Sequence, residues 1–357
     1  MDATTSLYDL YGATANCYIV NTNSIDSDGY FFPTHIAGNG HEVSWSSIGF
    51  VGDGTGTYAY PYGGGYSLSG NGVAVTLNQN SCVSDVFFAN NRIYFKASGA
   101  KGNAKLTLTY NGDKVWTWHI WCTDAPGTAT VNGYTVMDRN MGAMTKGVEY
   151  IGSEEMTGFF YPFGYPFGFT VSEYSNGNTD GYRMYDAFAL SPNRPMLRRS
   201  NSEYWPFNVY AASSPTRVWE LIWGNGGRKT MYDPCPPGYK VTPKAFWDGI
   251  STTADYYGLI INGIRFPVNG VVWQGGWLSM DINLGGTNHS NQATYNHRIY
   301  MWTSANVASQ HKAYFYHINK YYGDGTRMAN GGVTYDNNLP DGGRLTYGMG
   351  VRCVVGW

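Results

Sequence analysis

Residues 104–110 read AKLTLTY, and the fold class turns on that alternation. In an extended chain Leu106, Leu108 and Tyr110 share one face and Thr107 and Thr109 the other, because successive side chains of a strand point to opposite sides. An apolar face backed by a polar one describes a half-buried strand. The neighbouring segments NCYIVN (16–21), GYFFPTHI (29–36), EVSWSSIGFV (42–51), VAVTLN (73–78), RIYFKAS (92–98) and KVWTWHIWCT (114–123) have the same texture. Turn signals SDG, GNG, GDGTG and YNGD separate them at intervals too short for helices. Residues 1–125 are therefore expected to form an all-β sandwich.

A chain of 357 residues favours two domains over one. TDAPGTATVNG (123–133) carries Pro, Gly and Thr without apolar periodicity, so 126–133 is expected as a linker and 134–357 as a second domain. Texture changes there. FFYPFGYPFGF (159–169) and SEYWPFNVY (202–210) alternate aromatics with Pro and Gly, which forbid regular helix. One stretch reads as helical, TPKAFWDGI (242–250), with Thr242 as cap, Pro243 in the first turn and Phe246, Trp247 and Ile250 on one face. Strand-like pieces follow in YGLIING, IRFPVNGVVW, YMWTSAN, AYFYHI and GMGVRCVV. The second domain is thus expected to be α+β and held by aromatic packing, giving a mixed fold class for the whole chain.

Composition narrows the function. Charged residues are only 13 % and the net charge is −2, which gives no basic face for nucleic acid or acidic lipid. Aromatics reach 17 %, with 31 Tyr and 47 Gly, a β-rich profile of extracellular appearance. No apolar run is long enough to span a bilayer, so membrane insertion is not expected. The opening MDATTSLYDLYG lacks the features of a signal peptide, which fits a cytosolic chain or a mature secreted segment equally. Cys17, Cys82, Cys122, Cys235 and Cys353 show no metal-ligand spacing, and neither a metal nor another cofactor is expected. A disulfide between Cys235 and Cys353 and a pair of free thiols are both open readings, and the odd count leaves at least one thiol. Cys17 reads as a small buried apolar residue.

Catalytic constellations are weak. Asp138 in MDRNMG and Asp233 in YDPCPP suit carboxylates that bond local backbone amides. Glu154 and Glu155, adjacent in sequence, cannot flank a glycosidic bond from an extended segment. The glycines of YPYGGGYS (60–67) precede neither a helix nor a Lys-Ser/Thr pair, so they are no phosphate loop. His35, His41, His119, His289, His297, His311 and His317 are scattered, without a Ser or Cys partner in a motif.

YTVMDRNMGAM, VWELIWGNGG, YDPCPPGYKVTPKAFW, YMWTSAN and the closing GVRCV, in that order, resemble the signature of the Fibrobacter-type major paralogous domain. That domain belongs to surface proteins of Bacteroidetes and is related to the C-type-lectin-like fold. ANCYIVN, GYFFP, GNG and WTWHIW are similar to the N-terminal part of fimbrillin-like pilus-tip proteins of the same bacteria. The resemblance implies a non-enzymatic, extracellular adhesin at a pilus tip or cell surface. Its partners would be a host or bacterial surface protein or glycan, and a neighbouring pilus subunit through the N-terminal domain. The chain is also similar to variable proteins of diversity-generating retroelements, whose changing positions are enriched in Tyr, Asn, His, Asp and Ser. The calcium-binding triplets of sugar-binding lectins are missing, since Trp302 is followed by Thr303 and Ser304. The paired copper-site cysteines of formylglycine-generating oxidases are missing too, since only Cys353 lies near the end. A secreted carbohydrate-active enzyme and a purely structural pilus subunit are the alternative functions.

The candidate binding face is AYFYHINKYYGDGTRMANGGVTYDNN (313–338) with its surroundings: His297, Tyr300, His311, Phe315, His317, Asn319, Tyr321, Tyr322, Tyr335 and Asn337. Tyr offers a rigid amphipathic surface with little rotamer entropy to lose, and Asn and Ser adapt their hydrogen bonds. Two parities compete within AYFYHIN. In one, Ile318 points inward with Tyr314 and Tyr316, leaving Phe315, His317 and Asn319 outside. In the other, Phe315 joins the core and the Tyr hydroxyls reach solvent.

Overall fold

The computed structural model describes residues 5–6, 15–34, 72–90, 92–110, 113–146, 153–170, 173, 223–227, 229, 232–250, 253–254, 258–267, 269–272, 278–279, 296–307, 312–321, 328–334 and 348–356. Among the described residues, strands β1 (Thr5–Ser6), β2 (Cys17–Asn21), β3 (Tyr30–Pro33), β4 (Gly72–Asn78), β5 (Val83–Ala89), β6 (Arg92–Ala97), β7 (Gly102–Tyr110) and β8 (Asp113–Thr123) build two four-stranded sheets. Their orders are β1-β3-β6-β5 and β2-β8-β7-β4. The sheets meet through rings: Phe32 of β3 packs against Trp118 of β8 at 5.4 Å and against Tyr18 of β2 at 5.1 Å. The segment EVSWSSIGFV lies outside the described residues.

The AKLTLTY alternation departs from its expected environment. Leu106 and Leu108 are buried between the sheets, yet Lys105 and Thr107 on the other face are buried as well. In the register Asn103, Lys105 and Thr107 stand opposite Trp121, His119 and Thr117 on β8, and residues beyond 138 pack on this face. His119 stacks on Phe159 at 4.5 Å. The Trp121 indole N–H donates to the Ala143 carbonyl at 3.0 Å, and the Asn103 amide donates to the Gly142 carbonyl at 2.8 Å. Lys105 forms an ion pair with Glu173 and donates to the Gly168 carbonyl at 3.3 Å. The polar face is an internal interface: Asn103, Lys105 and Trp121 donate to the second half of the chain, while Thr107 bonds Thr117 and His119 bonds Asn103 within the face.

The expected linker is corrected in the same way. Within 126–133, strand β9 (Thr128–Val131) pairs with β10 (Tyr134–Met137) around Asn132 and Gly133, both at positive φ (49° and 77°). An Asn-Gly pair at positive φ is the favoured two-residue hairpin turn. Beyond it the described elements are α1 (Glu154–Thr157), β11 (Phe160–Tyr161), β12 (Tyr239–Val241), α2 (Lys244–Trp247), β13 (Thr253–Ala254), β14 (Gly258–Ile261), β15 (Ile264–Pro267), β16 (Val271–Val272), β17 (Leu278–Ser279), β18 (Asn296–Val307), β19 (Lys312–Tyr321), β20 (Met328–Thr334), β21 (Met349–Gly350) and β22 (Cys353–Val355). The sheets run β12-β22-β10-β9, β11-β21-β18-β19-β20, β13-β14-β15 and β16-β17. Each described α-helix is one turn long, so among the described residues the protein is mostly β-sheet with few helices. In α2 Phe246 and Trp247 are buried as expected, but Pro243 occupies the cap position, and the Thr242 hydroxyl accepts the Trp247 indole N–H at 3.2 Å instead of capping.

One hydrophobic core runs through both halves. It joins Trp116, Trp118 and Trp121 to Phe159, Tyr161, Phe163, Trp223 and Trp302. A second cluster lies between α2 and the opposite face of β18 and β19, with Phe246, Trp247, Ile299, Met301 and Tyr316.

The motif residues converge on β22. Fully buried Arg352 donates to Asn140 Oδ1 (2.8 Å), the Met137 carbonyl (2.9 Å) and the Arg265 carbonyl (2.8 Å). Burial lowers its pKa to about 9. Cys353 is disulfide-bonded to Cys235. The Thr242 N–H donates to the Arg352 carbonyl at 3.1 Å, and the Ser304 N–H donates to the Thr242 carbonyl at 2.9 Å. Asp233, fully buried, accepts the backbone N–H groups of Cys235 (2.8 Å) and Val241 (3.0 Å) and the Lys229 ammonium (2.7 Å).

Candidate functional site

Strands β18 and β19 pair antiparallel in the register Asn296↔Tyr321, His297↔Lys320, Arg298↔Asn319, Ile299↔Ile318, Tyr300↔His317, Met301↔Tyr316 and Trp302↔Phe315. By the period of two, Trp302–Phe315, Tyr300–His317, Arg298–Asn319 and Asn296–Tyr321 form successive rows of one parity. Four of the expected residues, Tyr300, His317, Asn319 and Tyr321, therefore share it. His297 stands on the other parity, opposite Lys320. Strand β20 extends the sheet, with Gly332 opposite His317 and Ala329 opposite Asn319. His311, Tyr322, Tyr335 and Asn337 lie outside the described residues.

Phe315 is corrected. It is buried, makes an edge-on contact with Trp302 at 5.9 Å and stacks on Tyr300 at 6.1 Å. Neither parity read from AYFYHIN holds alone, because Tyr316 is also buried, stacked on Trp247 at 4.5 Å. Both faces of β19 are covered at this level, one by the main core and one by α2. Burial raises the Tyr316 phenol to about 12, so it stays protonated at neutral pH.

Tyr300 sits at the margin, half-buried and packed against the core. Its backbone is gripped on both sides by one fully buried side chain: the Tyr300 N–H donates to Asn269 Oδ1 at 2.9 Å, and the Asn269 amide donates to the Tyr300 carbonyl at 2.8 Å. The approach needs Gly350, where a Cβ would lie 2.4 Å from Asn269 Nδ2 and 2.9 Å from Met301 Sδ. Trp302 anchors the base of the hairpin, its indole N–H donating to the Tyr161 carbonyl at 2.6 Å and its ring meeting Phe163 at 5.4 Å. The rows of the hairpin thus rise from a rigid aromatic floor.

The other acidic residues have structural partners. Asp138 and Asp124 receive the Arg139 guanidinium at 2.8 and 3.0 Å, and those hydrogen bonds hold the Asp124 carboxyl well below the usual carboxylate range. Glu154 Oε2 accepts from the Gln79 amide at 3.0 Å, and Glu155 is exposed on α1. Sequence reasoning did not find that His119 is buried. Its Nε2–H donates to Asn103 Oδ1 at 2.8 Å, its Nδ1 has no partner among the described residues, and burial pushes its pKa down to about 3. Among the described residues no group of three or more His, Cys, Asp or Glu side chains is placed to hold a metal ion, and no helix is long and apolar enough to cross a membrane.

Comparison of the chain with protein-family models, with curated proteins and with solved structures finds no match.

Proposed function

We propose that this protein is a non-enzymatic extracellular adhesin of a cell surface or pilus tip, binding a surface protein or glycan through the β18–β19–β20 sheet. The observation that carries the reading is the register, which aligns Tyr300, His317, Asn319 and Tyr321 on one parity above the buried Trp302–Phe315 row. Rigid aromatics and adaptable amides on a fixed floor lose little entropy on binding. In this proposal the second half is C-type-lectin-like and the first is a fimbrillin-like subunit that contacts its neighbour in a pilus. The convergence of Asn140, Cys235, Thr242, Ser304 and Arg352 around β22 supports the motif resemblance, since residues of four separate motifs meet there. The Cys235–Cys353 disulfide supports an oxidising, extracellular location.

The test is an array of host glycans and surface proteins probed with the full chain, alongside the triple variant His317→Ser, Asn319→Ser, Tyr321→Ser. The expected result is binding by the parent and loss of binding by a variant with unchanged melting. A variant that binds as well as the parent removes the site from this face. Glycan cleavage by the parent replaces the adhesin reading with the enzyme one.

A further inference from the structure

Three buried thiols remain after the Cys235–Cys353 disulfide: Cys17, Cys82 and Cys122. They do not stand on one face. Strand β2 runs parallel to β8 with Cys17 opposite His119 and Val20 opposite Cys122, so Cys17 shares the His119 parity, and Cys122 shares that of Ile120 and Trp118 between the two sheets. Gly102 of β7 is directly opposite Cys122 and has the same parity. A Cβ built on Gly102 would lie 3.0 Å from Cys82 Cβ. Cys82 therefore sits over the bare backbone of Gly102, on the face toward which Cys122 points. The Cys122 thiol lies 3.9 Å from the Cys82 carbonyl oxygen, and the Cys82 thiol donates to Asn78 Oδ1 at 3.6 Å. Both residues are fully buried.

We propose that Cys82 and Cys122 are a modification site, a thiol pair that becomes the protein's second disulfide in an oxidising compartment and leaves Cys17 as the single thiol. Cys82 directly precedes β5 of one sheet and Cys122 lies in β8 of the other, so the bond staples the two layers together. The oxidant is a low-molecular-weight disulfide. One cysteine thiolate attacks it, forming a mixed disulfide and releasing one small thiol; the second cysteine thiolate attacks that bond, closes the Cys82–Cys122 bond and releases the other small thiol. The two thiol protons end on the two small thiols and the two electrons reduce the oxidant. Both thiols are fully buried in the folded chain, out of reach of the oxidant, so closure belongs to folding, before the layers meet.

The experiment refolds the full chain in a mixture of oxidised and reduced glutathione, denatures it in a maleimide, and reads alkylated thiols and linked peptides by mass spectrometry. One alkylated residue, Cys17, together with a Cys82–Cys122 peptide is expected. A Cys17→Ala variant, run in parallel, should take up no maleimide. Three alkylated residues in the parent, two in the Cys17→Ala variant, or a linked peptide that contains Cys17 would each overturn the proposal.

Discussion

The Asn16 side-chain amide donates to the carbonyl oxygen of Asp233 at 2.9 Å, joining positions 217 residues apart in sequence. The Asn16 Oδ1 meanwhile accepts the Trp116 indole N–H at 2.9 Å. A single buried amide thus bridges the first sheets and the Asp233 network. Asn16→Ala leaves two buried groups without this partner, at a cost of about 1–3 kcal/mol for each. The two halves should unfold together in one denaturant transition, followed by tryptophan fluorescence and by far-ultraviolet dichroism. Two resolved transitions would show the halves to be independent.

Trp302→Ala and Phe315→Ala should each destabilise by about 3–5 kcal/mol, because each removes a large buried ring from the main core. Equilibrium unfolding in urea measures both. A Phe315 variant within a few tenths of the parent would return that residue to the display surface.

Asn269→Ala should cost about 1–3 kcal/mol by stripping Tyr300 of both its Asn269 hydrogen bonds. Hydrogen exchange should then speed up at the Tyr300 amide before it does in β7. Unchanged exchange there would mean that the clamp is dispensable.

His119 makes stability depend on pH over a definite window. Its folded pKa is near 3 against an ordinary value of 6.5, so between those values the unfolded chain takes up a proton that the folded one does not. Stability should fall on acidification from about pH 6.5 towards pH 3, by up to about 1.4 kcal/mol per pH unit from this group. His119→Gln should flatten that slope. Asp124 acts lower down: its depressed folded pKa contributes stability above the ordinary carboxylate range, which is lost as pH falls through the folded value. Urea midpoints at closely spaced pH values, for the parent and His119→Gln, separate the two. Identical slopes would remove His119 from the account.

Cys353→Ser should cost about 4–5 kcal/mol, since the Cys235–Cys353 bond closes a loop with a sequence separation of 118. The difference in unfolding free energy between parent and variant checks it. An effect under 1 kcal/mol would mean that the hydrogen bonds of Arg352 hold β22 without the disulfide.

Local pattern was enough for most strands. NCYIVN, GYFFP, VAVTLN, RIYFKAS and KVWTWHIWCT became β2, β3, β4, β6 and β8, because alternation and turn chemistry act over a few residues. Strand β5 (Val83–Ala89) went unread: its Asp85 sits at positive φ, 51°, and the register slips between Ser84 and Phe87. Asn132-Gly133 was legible as a hairpin signal but was masked by the Pro and Gly before it. Of the candidate site, the sequence located the aromatic run, and pairing register sorted it into rows.

By itself the sequence determined a β-rich chain, its strand periodicities and the Asp233 carboxylate that accepts nearby backbone amides, since these depend on neighbours along the chain; Asp138, read the same way, takes the Arg139 guanidinium instead. Tertiary structure alone decided what each face meets. Thr107 reads as part of a solvent face because alternation reports polarity and not surroundings, yet it is buried with its neighbours Lys105 and His119, against Thr117, Gly168 and Phe159. A polar face can be internal when its hydrogen bonds are met within the fold: Thr107 and Thr117 bond each other, His119 bonds Asn103, and Lys105 donates to the Gly168 carbonyl far along the chain. The same reasoning holds for Phe315 and Tyr316, adjacent residues on opposite faces, both buried because Trp302 covers one side of β19 and Trp247 the other.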